Sequence, residues 1–134
     1  MVVERKKGSL RQVLERLRWL DRKFGLDGYV RAPDNTGQWF DGCDRDVILF
    51  DDVEVGQVPP FSLFKRLCDR YPITVAVKGG FITWKPKIIV FTSNYSINEW
   101  WQDLNAENIR ARDRRIYIIE VKQSREHRLA HYPI

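Results

Sequence analysis

Cysteine, histidine and methionine are scarce in this chain, which has two, two and one of them among 134 residues. Cys43 and Cys68 stand alone, without the spacing of a zinc site or the density of a disulfide scaffold, and both are expected to be reduced thiols in an intracellular protein. His127 and His131 could share a helix face, but Glu126 precedes the first histidine instead of following it, which excludes the helical zinc-protease pattern. No apolar run approaches the roughly 18 to 20 residues needed to span a membrane, and no secretory leader is visible. Internal repeats and low-complexity linkers are missing. Also missing is Gly-x-x-x-x-Gly-Lys-Ser/Thr, the loop whose glycines let backbone N–H groups approach phosphates while its lysine reaches the terminal ones.

What is present fits one folded domain. Apolar residues make up 43% and charged residues 31%, a globular balance, and 134 residues supply one core rather than two. Twenty-three Lys and Arg against eighteen Asp and Glu leave a net charge of +5, the electrostatic bias of a nucleic-acid binder.

The apolar pattern predicts a first helix from Ser9 to Phe24, with Ser9 and Gln12 as a capping box and Gly25 at its end. The stretch Arg31 to Gly42 has loop chemistry. Asp46 to Phe50 contains four consecutive apolar residues, the mark of a strand covered on both faces. Pro59-Pro60 can open a helix presenting Phe61, Phe64, Leu67, Cys68 and Tyr71, stopped by Pro72. Ile73 to Val77 then alternates in polarity, Lys78-Gly79-Gly80 can turn, and Phe81 to Trp84 returns as a hairpin. Lys87 to Phe91 predicts a second covered strand, Ser96 to Trp101 a short helix, and Arg115 to Val121 a last strand. This order defines an α/β domain with a mainly parallel central sheet flanked by helices and a β-hairpin insertion.

Chemistry is expected at the carboxyl ends of the covered strands, where open α/β sheets bind ligands. Asp51-Asp52 and Ser93-Asn94 both fall there. Paired carboxylates at such a place can hold a hydrated Mg²⁺ on nucleotide phosphates, or they can merely cap the following turn; an asparagine after a strand is often a turn former. Lys78, Lys85 and Lys87 could contact phosphates while Phe81 and Trp84 stack on bases, or the aromatics could belong to the core.

Taken together, Trp39-Phe-Asp-Gly42, Asp46-Val-Ile-Leu-Phe-Asp-Asp52, Leu67-Cys-Asp-Arg-Tyr-Pro72, Val75-Ala-Val-Lys-Gly-Gly80, Ile89-Val-Phe-Thr-Ser-Asn94 and Asn98-Glu-Trp-Trp101 resemble the superfamily 3 helicase domain of Rep, the replication initiator of circovirus-like single-stranded DNA viruses. The resemblance runs from Tyr29 to Ile119. It implies an AAA+-like P-loop NTPase fold, truncated here, and a helicase that uses ATP and Mg²⁺. Asp51 and Asp52 match the acidic pair that binds Mg²⁺ and polarises the attacking water, and Asn94 matches a sensor of the γ-phosphate. Lys78, Gly79 and Gly80 match a hairpin that contacts single-stranded nucleic acid within a hexameric ring. Arg114 and Arg115 sit where the family carries arginine fingers that reach a neighbouring subunit, with Arg110 and Arg112 equally available.

The departures are plain. Lys7-Gly8-Ser9 scrambles the order of a phosphate loop, and Val2-Val3 before it is short for the usual strand. The family's nuclease signature, two histidines flanking an apolar residue and a tyrosine on a later helix, is absent from the chain. The sequence thus divides into an N-terminal amphipathic helix in place of the phosphate-loop region (1–28), a Rep-like core (29–121) and a basic tail (122–134). Two functions remain open: a Rep-like helicase core, incomplete for ATP hydrolysis as it stands, or a non-catalytic remnant that keeps a nucleic-acid or subunit-contact surface. The expected partner is single-stranded DNA or RNA, with no membrane, and the expected location is intracellular, in the host nucleus for a viral Rep.

Overall fold

A strand with no polar side chain needs cover on both faces, and Val47 to Phe50 has it. In the computed structural model, which describes residues 2–4, 15, 18–19, 22–23, 25 and 28–120, all four are fully buried. The elements in chain order are β1 (Val2–Glu4), β2 (Tyr29–Arg31), β3 (Val47–Phe50), α1 (Phe61–Leu67), β4 (Ile73–Val77), β5 (Gly80–Trp84), β6 (Ile88–Ser93), a 3-10 turn (Ile97–Glu99), α2 (Ala106–Asp113) and β7 (Ile118–Glu120). Five strands form one sheet in the order β2-β3-β6-β1-β7, with every neighbouring pair parallel. The strands β4 and β5 make a separate antiparallel hairpin.

Aromatic packing joins these parts. Phe50 on β3 stacks on Phe91 of β6 at 4.7 Å, and Phe64 of α1 sits 5.4 Å from Phe91. Trp100, just past the 3-10 turn, closes the same cluster 5.7 Å from Phe91. Trp84 ends β5 and packs edge-on against Phe40 at 5.3 Å, while its indole N–H donates to the Leu67 carbonyl at 2.9 Å. That one side chain ties the base of the hairpin to both the sheet core and α1. On the other face of the sheet Val47, Leu49 and Val90 are equally buried.

The parallel sheet and the hairpin agree with the expectation from sequence, and several boundaries do not. Ahead of the helix expected over Ser9 to Phe24, Val2–Glu4 forms a strand: β1, only three residues long, lies between β6 and β7. Helical geometry is present at Glu15, Arg18, Trp19, Arg22 and Lys23, while the expected cap at Ser9 and Gln12, and Lys7-Gly8-Ser9 with it, lie outside the described residues. Arg31, expected to open a loop, ends strand β2, and the Ser96 helix is a 3-10 turn with a full capping box to Glu99. Tyr71 is 61% exposed and so lies off the buried face of α1, which ends at Leu67. Helix α2 is not among the expected elements, because its residues are polar nearly all round and give no apolar stripe. Its visible signals were Asn105, whose side chain accepts the Asn108 N–H, and arginines in the last turn.

Candidate functional site at the carboxyl edge of the sheet

Strands β3 and β6 run parallel with Phe50 level with Phe91, so Asp51, the first residue after β3, comes beside Thr92, which is still within β6. Thr92 is fully buried, and its hydroxyl donates to Asp51 Oδ1 at 2.6 Å while accepting the Asp52 N–H at 2.8 Å. One hydroxyl can do both, having one proton to give and lone pairs to receive. The Val53 N–H donates to the Thr92 carbonyl at 2.7 Å, and Ser93 Oγ donates to the Val53 carbonyl at 2.7 Å. The acidic pair is therefore stitched to the next strand rather than hanging in a loop. Asp52 takes a left-handed φ of 57°, a conformation that costs a non-glycine residue about 1 to 2 kcal/mol. The Thr92 hydrogen bond to its N–H helps hold it there.

Asp51 has neighbours from β2 and the loop after it. Arg31 Nη2 lies 3.6 Å from Asp51 Oδ2, and Asn35 Nδ2 donates to the Asp51 carbonyl at 2.8 Å. The carboxylate is 12% exposed and the arginine 56%. The loop carrying Asn35 is itself braced: Asp34 accepts from the Thr36 N–H at 2.9 Å and from its hydroxyl at 2.8 Å, and from the Gln38 N–H at 3.3 Å. Burial pushes the Asp34 carboxyl up, but these bonds to Thr36, Gln38 and Trp39 outweigh it and leave its pKa below the ordinary value. Gly37 adopts φ +80°, and a Cβ there would come within 2.7 Å of Leu63 Cδ2, so the loop needs a glycine where it crosses α1.

Asn94 is exposed immediately after β6, on the same edge of the sheet as Asp51 and Asp52. Glu4 ends β1 level with Ser93, so the chain also leaves β1 at this edge. Nothing in the sequence alone marks Arg31, Asn35 or Thr92 as partners of Asp51. Arg31 looked like loop chemistry, and Thr92 revealed its role only once the register with β3 was known.

The residues picked for nucleic-acid contact are not brought together. Lys78 and Gly79 form the hairpin tip, with Gly79 at φ +89°, and Gly80 starts the return strand level with Val77. The Lys78 N–H donates toward the Asp41 carboxylate at 3.2 Å, and the exposed Phe81 stands beside the tip with 74% of its surface free. Lys85 and Lys87 lie at the other end, about 14 Å away at the rise of an antiparallel strand. Lys87 Nζ faces Asp46 Oδ2 at 3.7 Å. Trp84 corrects the expectation of a stacking surface: it is 1% exposed and belongs to the core.

The arginines also divide. Arg115 is folded onto its own chain, with Nη1 donating to the Ala111 carbonyl at 2.7 Å and Nη2 3.7 Å from Asp69, so it does not project as a finger. Arg112 is buried against Asp113, Nε to Oδ1 at 2.9 Å, which removes it from the same role. Arg110 and Arg114 are exposed. All four precede β7 in the chain. An open cleft of about 370 Å³ lined by residues such as Ser96, Arg112 and Tyr117 includes neither aspartate nor Asn94.

The thiols are unsuited to catalysis. Burial, with Asp41 and Asp44 nearby, pushes Cys43 up to about 11, and burial pushes Cys68 up to about 12, with Arg115 pulling weakly the other way.

Fold and site together define a parallel α/β domain whose acidic edge is assembled from two adjacent strand ends. No protein-family model matches the chain. It is 38% identical over 87 residues to the replication-associated protein of beak and feather disease virus, which covers 64% of this chain and 28% of that protein. It is 36% identical over 88 residues to the replication-associated protein of porcine circovirus 2 (66% and 27%) and 37% identical over 95 residues to that of porcine circovirus 1 (70% and 29%). The chain therefore carries a Rep-like domain, homologous to part of the replication-associated proteins of circoviruses. It spans under a third of the length of these curated relatives. Among the described residues no helix is long and apolar enough to cross a membrane.

Proposed function

We propose that this chain is a replication domain of the superfamily 3 helicase type that binds single-stranded DNA and keeps the acidic half of a P-loop Mg-ATP site without completing it. The observation that carries this is the Asp51-Asp52 pair clamped by Thr92 across two parallel strands, with Asn94 beyond the second strand. Asp51 and Asp52 are the residues that would hold Mg²⁺, and Asn94 the one that would order a water. A bound Mg²⁺ supplies charge neutralisation for nucleotide phosphates.

Two features favour binding without hydrolysis over a working ATPase. The sequence contains no Gly-Lys-Ser/Thr loop to hold the β and γ phosphates, and Arg31 faces the carboxylate that Mg²⁺ would need. Nucleic acid would meet the hairpin tip, where Lys78 supplies charge and Phe81 an exposed ring. In a ring of copies, Arg114 rather than Arg115 is the residue that would reach the next subunit. A DNA replication role places the protein inside the host cell, with the nucleus as the expected compartment.

Calorimetry with Mg-ATP and anisotropy with fluorescent single strands test both halves. The expected result is Mg-ATP binding too weak to titrate in the micromolar range, alongside salt-sensitive binding of single-stranded DNA. Micromolar Mg-ATP affinity would overturn the incomplete site, and absence of strand binding would overturn the hairpin function. An RNA strand bound more tightly than the DNA strand would assign RNA as the partner.

A further inference from the structure

We infer that Arg31 is a built-in counter-ion for Asp51, which a divalent cation must displace before it can use that carboxylate; this rests on the assignment of Asp51 and Asp52 as a cation-binding edge. The register of β2 with β3 sets Arg31 level with Leu49, so its side chain reaches along the strand direction to Asp51, two residues further on. Thr92 holds Oδ1 of the carboxylate, and the Arg31 guanidinium faces Oδ2.

The geometry favours exchange over permanent pairing. At 3.6 Å the contact is longer than the 2.7 to 2.9 Å of a tight charge-assisted hydrogen bond, and more than half of the arginine is in solvent. The carboxylate is largely covered, and the exposed partner, the guanidinium, is the one with solvent to move into. The groups around it are fixed: the Ala32 N–H donates to the Leu49 carbonyl at 2.7 Å, anchoring the backbone beside Arg31, and Asn35 anchors the Asp51 carbonyl. The guanidinium can swing out while the carboxylate stays in place. A divalent ion on Oδ2 and a guanidinium at the same oxygen repel, so one excludes the other. At rest Asp51 is thus paired with a cation of its own chain.

Mn²⁺ is the probe, titrated into the full chain and followed by electron paramagnetic resonance. Arg31→Gln should tighten Mn²⁺ binding about tenfold, which corresponds to about 1.4 kcal/mol. Arg31→Met keeps the stem without the charge and should do the same, while Arg31→Lys should stay near the wild-type affinity. Circular dichroism identifies the folded variants. Asp51→Asn should abolish the gain. Wild-type or weaker affinity in both neutral variants, or no binding by either, overturns the role of Arg31. If those variants match the wild type and Asp51→Asn still loses Mn²⁺, the cation edge stands without Arg31. If Asp51→Asn binds as the wild type does, both fail.

Discussion

Thr92 holds two consecutive aspartates through one oxygen, giving its proton to Asp51 Oδ1 at 2.6 Å and taking the Asp52 N–H at 2.8 Å. The residue is fully buried, so no water stands ready to replace it. Thr92→Val keeps the shape and removes both bonds. Leaving buried polar groups unsatisfied costs about 1 to 3 kcal/mol each, so urea denaturation should show a loss of about 2 to 4 kcal/mol, with Thr92→Ser restoring most of it. A valine variant as stable as the wild type would sink this account of the edge.

The two ends of the hairpin should behave differently. Phe81→Ala should weaken single-strand binding by about 1 to 3 kcal/mol, the range of one base stacked on an aromatic ring. Lys78→Ala should lower the slope of log affinity against log salt by about 0.7, the value of one phosphate contact on a single strand. Lys85→Ala, at the far end of the hairpin, should leave both quantities unchanged. Equal effects at Lys78 and Lys85 would place the strand along the whole hairpin instead of at its tip.

Cys43 and Cys68, pushed up to about 11 and about 12, hold almost no thiolate at pH 8. Iodoacetamide should therefore label native protein far more slowly than urea-unfolded protein, as mass spectrometry would read. Their folded pKa values lie above the unfolded ones, so the stability they contribute is full below about pH 8.5, the ordinary cysteine value. It falls as the pH rises through the folded values. Fast labelling of the folded chain would contradict the burial of these thiols.

Long apolar signals and turn chemistry made much of this architecture legible. Val47 to Phe50 announced a covered strand without a partner in view, and Lys78-Gly79 announced a turn because a glycine can take the positive φ found there. Three-residue strands are another matter: Val2–Glu4 and Tyr29–Arg31 are too short to display a period, and neighbours in space define them. The acidic pair was visible as Asp51-Asp52, but its partners were not. Arg31 and Asn35 come from one stretch of chain and Thr92 from another, and only strand register brings them to the same aspartate. Trp84 misled because an aromatic at the end of an alternating strand looks the same whether it meets a base or a core. What decided it was the Leu67 carbonyl within reach of its indole N–H.

The position of β1 has a consequence for how the molecule forms. Val2–Glu4 lies between β6 and β7, and β7 joins the sheet through β1. The closing residues of the described chain can therefore join the sheet only beside its opening residues. Contacts between such distant segments are slow to form, because a long loop must close before any bond rewards it. On the ribosome, β2, β3, the hairpin and β6 can gather around Phe50 and Phe91 early. The strip from β6 to β7 can be completed only when synthesis has passed Glu120.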